Sequence, residues 1–297
     1  MYAPLTNFAA FLLQFSHYVV RSHGIVILTY HRINDTLPPG LLVTSSKVFR
    51  SEMKYLKRYC EVLDAHEMML RLKDSQRIKE YRRPQVVITF DDGYKDNYIN
   101  ALPILKELDL PSIISLPTGF IGTDKKFSHF QDMPSPDFMN WDEVLEMSRH
   151  KAAVAAHSVS HPHLQHLTKE KQKAEIEGSI RQIQERIPNN VAQAIFCYPY
   201  GEYNADTLNI LREMGIAYAM MVEPGINTGI EDPLLLKRVC AYGTDNQFLF
   251  IRKVNFCFVS GIRSRMDMIK DVVKNFELNQ LVPKMSFLIR NILSVVK

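Results

Sequence analysis

The chain alternates short apolar runs with longer segments in which apolar residues recur at helical spacing. The runs are rich in β-branched and aromatic residues, and most are continuously apolar, as strands covered on both faces are. Strands are predicted at residues 25–30, 86–90, 112–116, 152–156, 194–198, 217–222 and 235–240. Strands that alternate with helices indicate α/β architecture with parallel strands.

Helices are predicted in the gaps between these strands. The most regular segments are residues 47–60, 97–108, 141–150, 169–186 and 205–214. Asn140, with Glu143 three residues on, has the pattern of a capping box, and Gly215 follows the last of these helices as a C-cap. The segment 117–140 contains three prolines and two glycines. It is long enough to form a lid or rim over an open site.

The N-terminal residues have the pattern of an amphipathic helix. Within residues 8–20 the apolar positions fall at helical spacing. The segment is too short and too polar to span a membrane, and it lacks the basic start and cleavage site of a signal peptide. We therefore expect residues 1–23 to form a helix that packs on the domain or lies on a membrane surface. A cytoplasmic location or a peripheral one at a membrane is expected.

After about residue 245 the strand signals stop and only helical patterns remain. Residues 251–297 contain nine Lys or Arg against two Asp and one Glu. We expect a barrel domain over residues 24–245 and a basic helical extension over 246–297. The basic face of this extension is either solvated or in contact with an anionic lipid or polymer.

The overall composition is that of an ordinary folded protein. Of 297 residues, 46% are hydrophobic and 23% charged, which excludes disordered and collagen-like classes. Lys and Arg exceed Asp and Glu only by 36 to 32, so no nucleic-acid partner is expected. The four cysteines form no C-x-x-C pair, which indicates reduced thiols rather than a zinc site or a disulfide framework.

Polar side chains that can bind metal or move protons follow several predicted strands directly. They are His31, the pair Asp91 and Asp92, the pair His157 and His161, and Tyr200 in a Pro-Tyr-Gly turn. In a closed parallel barrel the carboxyl ends of all strands lie on one rim, where such folds form their active sites. We therefore expect these residues, distant in sequence, to form one site.

The four-residue spacing of His157 and His161, after a strand, allows both imidazoles to face one cation. A histidine pair alone is often structural, and His163 and His166 show that this region is rich in histidine. Two histidines and one carboxylate, however, form a ligand set that leaves positions open for water and substrate. The sequence therefore predicts a hydrolytic metal centre.

The sequence Asp91-Asp92-Gly93 is common in solvated turns, but here it follows a buried strand. Two adjacent carboxylates repel each other unless a cation or a shared proton lies between them. One carboxylate can bind metal while the other acts as a general base. A metal that lowers the pKa of its bound water to about 7 and polarises a carbonyl suits ester or amide hydrolysis.

Two further strand ends suggest supporting roles. His31 is either structural or a general acid, since its ordinary pKa near ~6.5 allows it to protonate a leaving group at neutral pH. The turn at Pro199 and Gly201 is either an ordinary loop or a means of aiming a backbone N–H at an oxyanion.

Three motifs in this order carry a resemblance to a known family. TFDDGY at 89–94, HSVSH at 157–161 and YPYG at 198–201 resemble the motifs of the NodB-homology polysaccharide deacetylases, carbohydrate esterase family 4. The early TYHRI and the later YPYGEYN resemble its circularly permuted branch, which includes the poly-N-acetylglucosamine deacetylases. The resemblance covers about residues 24–245.

The resemblance implies a distorted (β/α)7 barrel and a divalent metal, usually zinc, with cobalt or nickel as alternatives. The implied metal ligands are Asp92, His157 and His161, the implied base is Asp91, the implied acid is His31, and Tyr200 is the residue whose backbone N–H helps to hold the oxyanion. Two positions depart from the family pattern. Cys197 stands where many relatives have an arginine that steadies the base, and the late leucine-histidine motif has no counterpart in LLLKRVCAYG. The permuted branch tolerates both departures.

The expected function is metal-dependent removal of acetyl groups from N-acetylated amino sugars in a polysaccharide or glycan intermediate. The expected partner is an acetylated glycan, with peripheral membrane contact through the N-terminal helix or the basic C-terminal tail. Two alternatives stay open. A metal-independent glycoside hydrolase needs carboxyls ~5–9.5 Å apart across the bond, which Asp91 and Asp92 as neighbours rarely provide. A noncatalytic glycan-binding protein would keep the fold but lose a ligand or the base.

Overall fold

A computed structural model describes residues 24–80, 83–127, 137–188, 190 and 192–256. The predicted N-terminal helix, the centre of the predicted lid at 128–136 and the basic tail from residue 257 onward lie outside these residues. The membrane contact predicted for the two termini therefore has no support here. No helix in the described part of the chain is long and apolar enough to cross a bilayer.

The strands form one curled parallel sheet and a small second sheet. In chain order they are β1 (Ile25–Tyr30), β2 (Arg32–Ile33), β3 (Val43–Thr44), β4 (Glu61–Val62), β5 (Gln85–Phe90), β6 (Ser112–Leu116), β7 (Ala152–Ala156), β8 (Ile195–Cys197), β9 (Tyr218–Met220) and β10 (Val239–Cys240). The main sheet has the order β10-β1-β5-β6-β7-β8-β9, with β4 beside β5, and β2 pairs with β3. Just before β10, Leu236 bridges Met220 of β9 in parallel. The sheet thus curls into the distorted (β/α) barrel that the sequence predicts.

Helices connect the strands around the outside of this sheet. They are α1 (Ser46–Tyr59), α2 (Ala65–Lys73), α3 (Ser75–Glu80), α4 (Leu102–Leu108), α5 (Trp141–Arg149), α6 (Lys169–Arg186), α7 (Ala205–Glu213) and α8 (Gln247–Phe256). The five predicted helices are all present, although the one predicted at 97–108 begins with a π-helical turn, Asn97–Ala101. The capping box predicted at Asn140 and Glu143 is formed.

The strands bury both faces, and the alternation of their side chains separates two cores. Ile25, Val87 and Ile113 belong to a buried cluster of inward-facing strand residues. The intervening residues, such as Val26 and Val86, pack with the helices in a second cluster. Every second residue of a strand faces inward, and this pattern continues past the strand ends to Asp91, which follows β5, and to His157, which follows β7. The barrel geometry therefore directs these side chains toward its open end.

The opposite end of the barrel is covered by residues 65–80, for which the sequence pattern predicted no helix. The Tyr218 hydroxyl donates a hydrogen bond to the Met69 carbonyl of α2 (2.9 Å), and Arg71 donates to the Gln85 side chain (2.8 Å). Tyr218 and Gln85 are the first residues of their strands. α2 therefore lies at the amino ends of the strands, away from the predicted chemistry.

The packed core continues past residue 245, the predicted end of the barrel domain. Phe250 and Val254 of α8 are buried in the cluster between sheet and helices. Asn255 donates a hydrogen bond to the Tyr55 hydroxyl of α1 at 3.0 Å. The described part of the predicted extension is thus anchored on the barrel.

The last strand is shorter than predicted. Of the predicted residues 235–240, only Val239 and Cys240 pair with β1, while Leu236 makes a single bridge to β9. Between them, the backbone N–H of Arg238 donates to the carbonyl of Glu223 in the loop after β9. This segment therefore changes partners along its length, which a strand pattern cannot reveal.

Candidate active site

Three predicted metal ligands meet at the carboxyl ends of β5 and β7. The Asp92 Oδ1 atom lies 3.5 Å from His157 Nε2 and 3.4 Å from His161 Nε2, and all three side chains are buried. The ligand atoms lie within 4.8 Å of one another. Two imidazole nitrogens and one carboxylate oxygen so close together fit a divalent metal such as zinc.

The tautomer of His157 suits this role. Its Nδ1 lies 2.8 Å from the backbone carbonyl oxygen of Cys197. Because a carbonyl can only accept, Nδ1 carries the proton and donates it. Nε2 faces Asp92 and is the atom that would bind a metal, while the carbonyl contact fixes the ring plane as supporting hydrogen bonds do in metal sites.

The backbone at this site has an unusual conformation. Asp92 (φ 71°), Ser158 (64°), His161 (54°) and Tyr200 (57°) are four of the six non-glycine residues with positive φ among the described residues. Left-handed backbone costs such residues about 1–3 kcal/mol each and is concentrated at functional sites. The left-handed turn at Asp92 comes two residues after the end of β5, so the side chains of Asp91 and Asp92 point in different directions.

Glu175 of α6 holds the loop between the two histidines. One carboxylate oxygen accepts hydrogen bonds from the backbone N–H groups of Val159 (2.9 Å) and Ser160 (2.8 Å), and the other accepts from the Ser160 hydroxyl (2.7 Å). A Cβ atom at Gly178 would stand 2.9 Å from a methyl group of Val159. The loop between the two histidines is therefore fixed by hydrogen bonds and close packing to α6. Glu175 was not identified from sequence.

Asp91, the predicted base, lies beside the ligand group and is bound by Arg238. The guanidinium of Arg238 donates to both carboxylate oxygens, with Nη1–Oδ1 at 2.9 Å and Nη2–Oδ2 at 2.8 Å. Burial alone would raise the pKa of Asp91, but Arg238, followed by His157 and His31, outweighs it and lowers this pKa to about 2. Asp91 is therefore ionised at neutral pH.

Arg238 was missed in the sequence, although a signal was present. It is a charged residue within the predicted strand 235–240, and its side chain is only 2% exposed. Charged residues are almost never fully buried without a partner. The thiol of Cys197, at the position where the family resemblance led us to expect an arginine, lies 3.7 Å from Asp91 Oδ1. In this chain the predicted base Asp91 is therefore bound by the guanidinium of Arg238, which comes from the segment just before β10.

His31 lies at the end of β1 and is partly exposed. Burial is the largest influence on the pKa values of Asp91 and Asp92 and raises both. Arg238 and His157 lower the pKa of Asp91, and His157 and His161 lower that of Asp92. The charge of His31 lowers both pKa values further. The predicted acid is therefore near both carboxylates and is reached by solvent on one side.

The segment after His31 is tied to the segment after the aspartate pair by Asp96. The Asp96 carboxylate accepts from Arg32 Nε (2.9 Å), from the backbone N–H of Ile33 (3.2 Å) and from Asn34 Nδ2 (3.2 Å). Asp96 is 8% exposed. It therefore connects the two chain segments that carry the predicted acid and base, and it was not identified from sequence.

Tyr200 lies at the mouth of the site and is 38% exposed. Its ring contacts the His161 ring edge-on, with centroids 4.6 Å apart, and stacks in parallel on His163 at 3.9 Å. Gly201 next to it has φ 73° and packs against Val222, which leaves no space for a Cβ atom. The turn that carries Tyr200 is therefore closely packed beside a predicted metal ligand.

The flanks of the predicted lid form the opposite wall. Phe127 lies 5.0 Å from the His161 ring, centroid to centroid. Phe127 also packs on Phe120 and Phe138, and Phe138 stacks on Tyr94. The described ends of segment 117–140 therefore make an apolar wall beside the ligand group.

Residues 78–219 match the protein family Polysaccharide deacetylase. The matched residues include Asp91, Asp92, His157 and Tyr200, whereas His31 lies before the match and Arg238 after it.

Individual relatives agree with this match. The Bacillus subtilis protein YxkH is 29% identical over 214 residues, which cover 72% of this chain and 70% of that protein. The poly-beta-1,6-N-acetyl-D-glucosamine N-deacetylase of Staphylococcus epidermidis is 25% identical over 246 residues, covering 73% of this chain and 78% of the relative. The structure of IcaB from Ammonifex degensii has the same fold, with a TM-score of 0.66 and 22% identity over 79% of this chain and 97% of that one.

Proposed function

We propose that this chain, which matches the polysaccharide deacetylase family over residues 78–219, removes acetyl groups from N-acetylated amino sugars of a glycan with the help of a divalent metal. One observation carries the proposal. The buried group of Asp92, His157 and His161 lies next to a second carboxylate, Asp91, that is fixed by Arg238. The activity stated in the name of the Staphylococcus epidermidis relative supports the choice of substrate class.

In this proposal Asp92, His157 and His161 hold the metal. Their two nitrogens and one oxygen suit zinc, and cobalt or nickel would also be accepted by such ligands. When bound, the metal supplies Lewis-acid chemistry: it lowers the pKa of water and polarises a carbonyl oxygen.

Asp91 acts as the general base. Its ionised carboxylate accepts a proton from the water that attacks the acetyl carbon. The two hydrogen bonds from Arg238 fix the plane of this carboxylate, so the base is aligned before substrate arrives.

His31 and Tyr200 complete the reaction. The backbone N–H of Tyr200 donates to the oxyanion that forms when water adds to the carbonyl. His31 protonates the sugar nitrogen as the carbon–nitrogen bond breaks, so the products are acetate and the free amino sugar. His31 is suited to this because it is near both carboxylates yet partly exposed.

Acetate release from an N-acetylglucosamine oligomer tests the proposal. The purified chain is expected to release acetate and an equal amount of free amine, to lose this activity on chelation, and to regain it with Zn²⁺. Asp91→Asn is expected to keep its metal and lose at least about 100-fold in kcat. Asp92→Asn is expected to lose the metal of the buried group together with the activity. Acetate release that is indifferent to chelation would contradict the metal site.

The same experiment separates the two other hypotheses. A glycoside hydrolase would shorten the oligomer without releasing acetate, and a binding protein would retain the oligomer unchanged. The geometry argues against a hydrolase pair, because Asp91 is committed to Arg238 and Asp92 to the two histidines.

A further inference from the structure

A second group of potential metal ligands lies at the rim of the barrel, outside the catalytic constellation. It consists of His163, His166 and Glu202, whose ligand atoms lie within 4.8 Å of one another. Unlike the buried group at Asp92, these side chains are accessible, with His163 49% and Glu202 33% exposed. The proposed reaction uses none of them.

The two histidines are presented on one side of a single turn. His163 and His166 are three residues apart across the 3₁₀ turn Leu164–His166, and side chains at that spacing eclipse each other in a 3₁₀ helix. The His166 N–H donates to the His163 carbonyl at 3.0 Å. Leu164 within the turn is fully buried, which anchors it to the core. The backbone therefore holds both rings on the same side.

The carboxylate comes from a neighbouring loop that is tied to this turn. Glu202 Oε2 lies 2.7 Å from His163 Nδ1. The Glu202 N–H donates to the Pro199 carbonyl at 3.1 Å, and the Asn204 side chain donates to the Gln165 carbonyl at 3.3 Å. The relative position of the three ligands is thus set by hydrogen bonds within and between the two loops.

We propose that His163, His166 and Glu202 bind a second divalent transition-metal ion at the rim. Two imidazoles and one carboxylate favour Zn²⁺, Ni²⁺ or Cu²⁺, whereas Mg²⁺ and Ca²⁺ prefer oxygen ligands alone. The His163 ring stacks on Tyr200, and Glu202 follows the Tyr200 turn closely. An ion bound here would therefore restrain Tyr200 at the mouth of the active site.

Counting bound Zn²⁺ by equilibrium dialysis of the metal-free full chain tests this site without measuring activity. The wild type is expected to bind two saturable equivalents. His163→Ala, His166→Ala and Glu202→Gln are each expected to bind one, as is Asp92→Asn, which removes a ligand of the buried group. Circular dichroism checks that the variants fold.

His150→Ala is the matched control. His150 is also partly exposed and lies 3.4 Å from a carboxylate, Glu146, but among the residues that the structure describes this pair has no third ligand. This variant is expected to keep both equivalents. Rim variants with the same count as His150→Ala would overturn the proposal. A wild type that binds one equivalent, which the rim variants lose and Asp92→Asn keeps, would contradict the buried metal site of the proposed function and leave the rim site supported.

Discussion

The guanidinium of Arg238 binds both oxygens of the Asp91 carboxylate, although the two residues are 147 positions apart in the chain. Both side chains are buried, and Arg238 Nε also donates to the Met221 carbonyl at 2.8 Å. The predicted base is therefore held by a partner that connects the end of β5 with the segment before β10.

Replacing Arg238 with Met is expected to reduce stability strongly at neutral pH. The substitution leaves the buried Asp91 carboxylate unpaired, which costs about 3–5 kcal/mol when one partner of a buried ion pair is removed. Urea unfolding measures the loss. The double variant Arg238→Met with Asp91→Asn is expected to recover part of it, because position 91 no longer carries an unpaired buried charge. Equal losses in the single and double variants would contradict this account.

Arg212→Met provides the matched control. Arg212 pairs with Asp232 at 3.0 Å, but both side chains are more than one-third exposed. Exposed ion pairs contribute about 0–1 kcal/mol, so this variant is expected to unfold close to the wild type.

The pH dependence of the Arg238–Asp91 pair follows from the lowered pKa of Asp91. That pKa is about 2 in the folded chain, below an ordinary aspartate value of ~3.9. The pair's contribution to stability is therefore complete above pH ~4 and is lost as the pH falls toward 2. In Arg238→Met the acid limb of the activity profile is expected at higher pH than in the wild type, because Asp91 loses the cation that favours its ionised form.

Asp96→Asn is expected to reduce kcat while leaving bound zinc unchanged. The amide nitrogen cannot accept from Arg32 or Asn34, so the segment next to His31 loses part of its anchor. Misplacement of a catalytic group by about 1 Å costs roughly 10–100-fold in rate. Steady-state acetate release and metal analysis of the same sample test this. Asp109→Asn, at an exposed ion pair with Lys151, is the control and should behave as the wild type.

The site residues that were predicted all stand directly after strands or within short motifs. That Asp91, Asp92, His157 and His161 lie close together could be predicted because a parallel barrel gathers its strand ends on one rim, and local spacing reveals the pairs. The structure brings Asp92, His157 and His161 together with Asp91 beside them.

The residues that were missed act across long separations. Arg238 and Asp96 reach their partners through the fold, and no local pattern marks such pairs. The helices α2 and α3 were missed for another reason. α3 is only 6 residues long, too short for a helical period to stand out, and apolar residues of both helices pack against the inward-facing strand residues to cover one end of the barrel.

Glu175→Gln is expected to weaken metal binding without unfolding the chain. Its carboxylate holds Val159 and Ser160 between the two histidine ligands, and loss of such supporting contacts lowers metal affinity by about 10–100-fold. Zinc competition with a chromophoric chelator measures the change. Glu177→Gln, exposed on the same helix, should retain the wild-type affinity. An unchanged affinity in Glu175→Gln would show that the loop is fixed by packing alone.

Glu52 is expected to make the folded chain less stable as the pH rises. It is 3% exposed and accepts a hydrogen bond from the Tyr30 hydroxyl at 2.8 Å. Burial, which outweighs the Tyr30 hydrogen bond and Lys253, raises the pKa of Glu52 to about 8. Between pH ~4.5 and 8 the folded state thus binds a proton that the unfolded state has released, so stability falls by up to about 1.4 kcal/mol per pH unit.

Urea unfolding of Glu52→Gln from pH 5 to pH 8 isolates this effect from other titrating groups. The amide has no proton to lose and its oxygen still accepts from Tyr30, so the variant is expected to lose less stability than the wild type as the pH rises. The difference between the two should be largest at pH 8. Glu107→Gln, at an exposed pair with Arg50, should follow the wild-type curve. Parallel curves for Glu52→Gln and the wild type would mean that Glu52 is already ionised at pH 5 in the folded chain, with Lys253 compensating its buried charge.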